Sequence, residues 1–218
     1  MKIWPELQEL LFPTRCLGCH ELGLSLCSSC LASWHPHIYR GTSRWQVAAP
    51  QQQIFPIYSA ITYSPVASKV LLAAKESGIA LADQLLQQAL SQTLRIFLRE
   101  QSGNFLVPIP SRKSAARLRG RQFVVELTEI LGKELLIPTA NLLSHQRKVR
   151  DQSSLTADAR HRNIAGSLRA HRYLPGRAII IDDLVTSGAT LQEAARALTY
   201  EGIEVAGAVT ACVAQPLR

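Results

Sequence analysis

Two adjacent carboxylates, Asp182 and Asp183, end the apolar run 178–181 and are followed by Leu184, Val185 and the small stretch Thr186, Ser187, Gly188, Ala189, Thr190. A fully apolar run of this kind reads as a central strand of a parallel sheet, and the C-terminal ends of such strands face the crevice where ligands bind. Two carboxylates at that point suit a pair of vicinal hydroxyls, such as those of a ribose. Successive strand residues point to opposite faces, so sharing one sugar requires the chain to turn at the pair. The loop that follows opens a helix, and backbone N–H groups at a helix N-terminus, aided by the macrodipole, form a site for a phosphate. Gly188 lets the backbone approach closely, and Thr186, Ser187 and Thr190 offer hydroxyl donors. Thr190 and Glu193 also fit a capping box. Singly, each residue is no more than a strand end or a cap. A Walker A loop is excluded, because no GxxxxGK[ST] string occurs.

Two basic stretches accompany this segment. Arg112, Lys113, Arg117, Arg119 and Arg121 follow the apolar run 105–109 and Pro110, so they sit on a loop leaving a strand. Arg112, Lys113 and Arg121 in that place suit a diphosphate that gains charge as it leaves. The same cluster also fits a solvated basic face or a patch for nucleic-acid phosphates. The stretch 146–167, which includes Arg147, is polar, basic and long for a loop inside a compact domain. It is expected to act as a lid that shields a reactive anomeric carbon from water.

Four of the five cysteines form two close pairs, Cys16 with Cys19 and Cys27 with Cys30. Each CxxC turn can present two thiolates to one ion, and two such turns complete a tetrahedral four-thiolate zinc site with no open position, hence structural. Two disulfides or free thiols are the alternative. Cys212 lies far away and reads as a small apolar core residue.

The elements that must position these groups follow from patterning. The chain has 218 residues, of which 47% are hydrophobic, enough for one domain plus a small appendage. Residues 1–40 hold the paired cysteines, 41–53 are polar and Gln-rich like a linker, and 54–218 alternate strand and helix patterns. Strands are predicted over 57–63, 105–109, 178–181 and 205–213. Helices are predicted over 80–98, 123–136 and from Leu191 to a stop near Gly202. The fold class is therefore α/β with a mostly parallel sheet and an N-terminal cysteine knuckle. The formal net charge of +8 favours anionic partners. No apolar run reaches the roughly 20 residues that span a bilayer, and the first residues lack an apolar signal core. A soluble, cytoplasmic chain without membrane insertion is the expectation.

The string 178–190, AIIIDDLVTSGAT, resembles the 5-phosphoribosyl 1-diphosphate signature of type I phosphoribosyltransferases. The order VPIP…RGRQF, QRKVRDQSSL…RHRNIAGS, IIIDDLVTSGAT, with Leu10-Leu11-Phe12-Pro13 ahead of the cysteines, is similar to the ComF family, also called GntX-like, of competence-associated proteins. Gln152, Leu155, Arg160 and Asn163 fall at that family's Q-x-x-L and R-x-x-N elements, and Lys75 matches a lysine of its first helical segment. His145 departs from a common Arg, and Gln122-Phe123 from a usual Phe-Asn. The resemblance implies a phosphoribosyltransferase-like fold, binding of the diphosphate sugar with Mg²⁺, and a role in DNA uptake. Asp182 and Asp183 are the implied catalytic pair. It also implies a helicase-like ATPase partner, and single-stranded DNA as a further one. Two functional classes follow: a transferase releasing diphosphate, or a non-catalytic binding and regulatory module in transformation. No residue set specifies the acceptor.

Overall fold

A computed structural model of the chain describes residues 14–34, 37–43, 54–112, 116–117, 119–147 and 157–214. Its elements, in chain order, are α1 (Ser28–Trp34), β1 (Tyr39–Thr42), β2 (Pro56–Thr62), α2 (Pro65–Ser77), α3 (Ala80–Glu100) and β3 (Phe105–Pro108). They continue with α4 (Phe123–Leu135), β4 (Leu143–His145), α5 (Ala157–Ile164), β5 (Leu168–Ala170), β6 (Arg177–Val185), α6 (Ala189–Tyr200) and β7 (Glu204–Val213).

The main sheet has the order β1-β2-β7-β6-β3. Strands β2, β7, β6 and β3 run parallel and β1 is antiparallel at the edge. The fold is thus α/β with a mostly parallel sheet. Its core lies on both faces, as the near-continuous apolar strands require. Ile179 and Ile181 of β6 pack with α2, α3 and α4 on one side, and Ala178 and Ile180 pack with α6 and the β4–β5 hairpin on the other. On the first side the Phe97 ring of α3 meets the Tyr58 ring of β2 edge-to-face, with centroids 5.1 Å apart.

Helix α2 is punctuated by residues legible in the sequence. Ser64 caps it by accepting a hydrogen bond from the Ala67 N–H at 3.1 Å, Pro65 occupies the first turn, and Gly78 ends it in the left-handed conformation at φ 61°. Helix α3 places Ala82, Leu86, Leu90, Leu94 and Phe97 on one buried face, which carries it two residues past the predicted end. Two other expectations are corrected. Gly41 and Thr42, read as the start of the linker, pair with Ile57 and Pro56 in β1, because an edge strand there satisfies the otherwise open side of β2. Within the stretch read as an irregular loop, 157–164 forms α5, which reaches α6 across the hairpin layer. Residues 44–53 and 148–156, with Gln152 and Leu155, lie outside the described residues, as does the 10–13 motif.

Strand β7 carries one extra residue opposite the register shift between Ala178 and Ile179, which sets Gly207 against Ile179. A Cβ at Gly207 would lie 2.7 Å from both the Phe97 ring and the Pro56 carbonyl oxygen. Gly207→Ala is therefore expected to destabilise the domain by about 1–3 kcal/mol through overpacking. Urea denaturation measures this, and Phe97→Leu in the same background should relieve part of the loss.

Candidate functional site

The four parallel strands deliver their C-terminal ends to one edge, and the candidate residues gather there. Asp182 and Asp183 lie near the end of β6, Lys75 comes from the last turn of α2, and 110–112 leave β3 beside them, since the Ile109 N–H donates to the Ile181 carbonyl at 2.9 Å. The expected turn at the acidic pair is not seen there. Strand β6 keeps its ladder through Asp182 opposite Thr210, Leu184 opposite Cys212 and Val185 opposite Val213, so the chain turns only after Val185, at 186–188. The carboxylates consequently take opposite sides of the strand.

Their environments differ. Asp183 is only 8% exposed and forms an ion pair with the Lys75 ammonium. Asp182 accepts the Asp183 N–H at 2.9 Å. Burial, and then the Asp183 charge, push the Asp182 carboxyl well above the usual carboxylate range. Burial alone would lower Lys75, but the attraction of Asp183 outweighs it and holds the ammonium above its ordinary value. The pair thus contains one carboxyl biased towards its neutral form and one carboxylate matched by a lysine. Cys212, read as core, is fully buried, and burial pushes its thiol up to about 12.

Gly188, at φ 76°, is the N-cap of α6, and no side chain caps the helix. The N-terminal N–H groups therefore have no hydroxyl or carboxylate cap, and Thr186, Ser187, Ala189 and Thr190 surround them at the sheet edge. The capping box is a correction. Glu193 turns away from Thr190, accepts the Leu168 N–H at 2.8 Å, and pairs with Arg196. A buried carboxylate finds better partners in the unpaired end of β5 than in a helix turn that solvent can reach.

The basic residues divide. Arg112 stands where β3 ends, and Lys113 lies outside the described residues. Arg121 is bound to Asp83 at 3.0 Å, Glu126 at 2.8 Å and the Ala74 carbonyl at 3.3 Å, and it stacks on Phe123. Arg119 pairs with Glu76 at 2.8 Å. Both clamp the end of α2, the element that brings Lys75. Arg147 holds the carbonyls of Asn163 and Ala165, tying α5 to β4. Asp83 and Glu76 carry no signal in the sequence, because their partners lie tens of residues away, whereas Glu126 stands five residues from Arg121 and is within local reach. His145 donates through Nε2 to the Pro110 carbonyl at 3.1 Å; burial lowers its imidazole, and its buried Nδ1 has no partner among the described residues.

The cysteines converge as expected. The sulfurs of Cys16, Cys19, Cys27 and Cys30 all lie within 4.8 Å of one another and none is in a disulfide. Cys16 and Cys19 lie in and beside a tight turn, whereas Cys27 precedes α1 and Cys30 lies within it. Gly18 and Cys27 donate N–H bonds to the Cys16 sulfur at 3.4 and 3.3 Å. Burial pushes Cys16 up, but the backbone donors from Cys27, Cys19 and Gly18 bring it to about 6. Donors of this kind stabilise thiolate ligands, so the residues present fit a structural zinc ion. The knuckle is not detached. Val66 of α2 packs on it, Trp34 enters the main core, and Lys69 donates to the Gly18 carbonyl at 2.5 Å.

No known family profile and no curated protein matches the chain. Among solved structures it is similar to UMP synthase of Leishmania donovani, at 15% identity over 84% of this chain and 30% of that one, with a TM-score of 0.38. It is similar to adenine phosphoribosyltransferase from the same organism, at 13% identity over 63% and 55%, with a TM-score of 0.37. A third likeness is to adenine phosphoribosyltransferase of Leishmania tarentolae, at 11% identity over 67% and 77%, with a TM-score of 0.39. The chain spans 30% and 55% of the length of the first two. Among the described residues, no helix is long and apolar enough to cross a membrane.

The knuckle geometry predicts about one zinc ion per chain in protein purified without chelator, measured by elemental analysis. Cys16→Ser should lose most of that zinc and lower the unfolding temperature, because metal binding at such sites stabilises the folded state. A second check concerns the hairpin. Glu193→Ala leaves the Leu168 N–H and the Arg196 guanidinium without their carboxylate, and should cost about 1–3 kcal/mol in denaturant unfolding.

Proposed function

We propose that this chain is a phosphoribosyltransferase-like protein that binds 5-phosphoribosyl 1-diphosphate at the edge formed by β6, α2 and the start of α6. The observation that carries this is the coincidence of Asp183, paired with Lys75, and the uncapped N-terminus of α6 at the C-terminal edge of one parallel sheet. In this reading Asp183 takes ribose hydroxyls, with Asp182 behind it accepting the Asp183 N–H. The 5-phosphate lies on the N–H groups and hydroxyls of 186–190, where the helix dipole favours an anion. Arg112 and Lys113, from the loop after β3, meet the diphosphate. Arg121 is already engaged in ion pairs, so its part is to hold α2 in place.

The transfer balances as a displacement at the anomeric carbon. The bond to the diphosphate oxygen breaks and the diphosphate leaves with the electron pair. A lone pair of the acceptor forms the new bond, and the acceptor's proton passes to solvent or a base. The charge on the leaving group grows along this path, which is where fixed cations lower the barrier. Mg²⁺ in this reading travels with the diphosphate, on ligand oxygens and water. The acidic pair does not fit a metal cage, because Asp183 is occupied by Lys75 and Asp182 by a backbone N–H.

The motif order shared with the ComF family and the net charge of +8 extend the reading towards DNA uptake. There the protein would act beside a helicase-like ATPase, in the cytoplasm, as an enzyme or as a sugar-binding regulator. Direct contact with single-stranded DNA has weaker support, since Arg119 and Arg121 are spent on internal ion pairs and aromatic residues make up 6% of the chain. A gel-shift series against salt tests it, steep salt dependence being the signature of phosphate contacts.

Calorimetry with 5-phosphoribosyl 1-diphosphate and Mg²⁺ should show binding by the wild type, and Asp183→Asn should weaken it by about ten- to a hundredfold, the loss of one charge-assisted hydrogen bond. Diphosphate release screened across bases and amines then decides turnover. Equal release by wild type and Asp183→Asn would reject catalysis at this site.

A further inference from the structure

The acidic pair meets its positive charge inside the protein. Lys75 reaches Asp183 from a helix anchored along its length. Near its start, Lys69 holds the knuckle through the Gly18 carbonyl at 2.5 Å. At its end, Arg119 binds Glu76, Arg121 binds the Ala74 carbonyl, and Gly78 closes the helix with a left-handed cap. The ammonium is thus placed by tertiary contacts on both sides, and its side chain is 29% exposed, open enough for a ligand to touch.

We propose that Lys75 supplies the positive charge at the carboxylate that receives the ribose hydroxyls, so that a phosphorylated ribose without a diphosphate binds here independently of metal. This rests on the sugar-phosphate reading above. Three physical points carry it. A lysine ammonium has three donors on a compact charge, so it satisfies Asp183 and still donates to a ribose oxygen. Mg²⁺ demands near-octahedral oxygen ligands and sheds water reluctantly, whereas Asp183 is only 8% exposed and Asp182 already accepts the Asp183 N–H. A dication brought to Asp183 would also have to displace the ammonium or lie against it, and like charges at such range repel strongly in a poorly solvated site.

The probe is ribose 5-phosphate, which lacks the diphosphate that would bring its own magnesium, titrated calorimetrically into the full chain with EDTA or with saturating Mg²⁺. The wild-type dissociation constant should agree between the two conditions within about twofold. Lys75→Met should weaken binding in EDTA by about tenfold or more, the scale of a hydrogen bond to a charged group, and Lys75→Arg should restore it. Wild-type binding that requires Mg²⁺ overturns the proposal, as does Lys75→Met binding as tightly as wild type in EDTA. The wild-type comparison stands even if Lys75→Met fails to fold, which thermal unfolding reports. If folded wild type binds 5-phosphoribosyl 1-diphosphate with Mg²⁺ yet ribose 5-phosphate only with Mg²⁺, the proposal fails while the sugar-phosphate reading holds. Failure to bind either ligand rejects both.

Discussion

A central strand buried on both faces carries two carboxylates near its C-terminal end, and the charge this places in a poorly solvated position must be matched. An isolated buried carboxylate is costly, and the group is neutralised or paired rather than left bare. Both solutions occur side by side in β6. Asp182 is driven towards its neutral form, and Asp183 is paired with Lys75. The pairing needs α2 to end within reach of the strand, and the rest of that side of the molecule serves this placement. The clamp of Arg119 and Arg121 on the last turn of α2, with Asp83 from α3 and Glu126 from α4, fixes three helices relative to one lysine.

The cysteine knuckle belongs to the same arrangement. Its contacts fall on α2 through Val66 and Lys69, and its helix α1 sends Trp34 into the core shared by α2 and α3. A four-thiolate zinc site is rigid because the ion fixes four side chains at once. An ion held by the four cysteines would apply that rigidity to the flank of the helix that carries Lys75. The opposite face uses other means. Glu193 and Arg196 bind the β5 end of the hairpin to α6, which keeps β4 and its His145 over the residues leaving β3. The two layers therefore reach the sheet edge through different chemistry, a four-cysteine cluster and ion pairs on one side and a single buried carboxylate on the other.

Several features were legible beforehand because they are local. The apolar run ahead of Asp182, the periodicity of α3 and α4, the glycine after α6 and the two CxxC pairs each express a short-range rule, and the corresponding elements appear within a few residues of their expected bounds. Misreadings arose where a local rule competed with a distant partner. The Thr190–Glu193 spacing fits a capping box, but Glu193 is taken by Leu168 and Arg196. The basic run after β3 looks uniform in the sequence, yet Arg121 and Arg119 are claimed by acids on α3, α4 and α2. The turn expected at the acidic pair gave way to ladder bonds with β7.

By itself, then, the sequence determined the chemistry on offer: which strand carries the carboxylates, which loop follows it, and which four thiols can share an ion. It did so because strand and helix periodicity and CxxC spacing act over a few residues. Only the tertiary structure decided how that chemistry is apportioned. Lys75 and Asp183 are 108 residues apart, and nothing short-range pairs them. Burial, and the packing of α2 against the sheet edge, set two like carboxylates apart, one pushed towards its neutral form and one paired with a lysine.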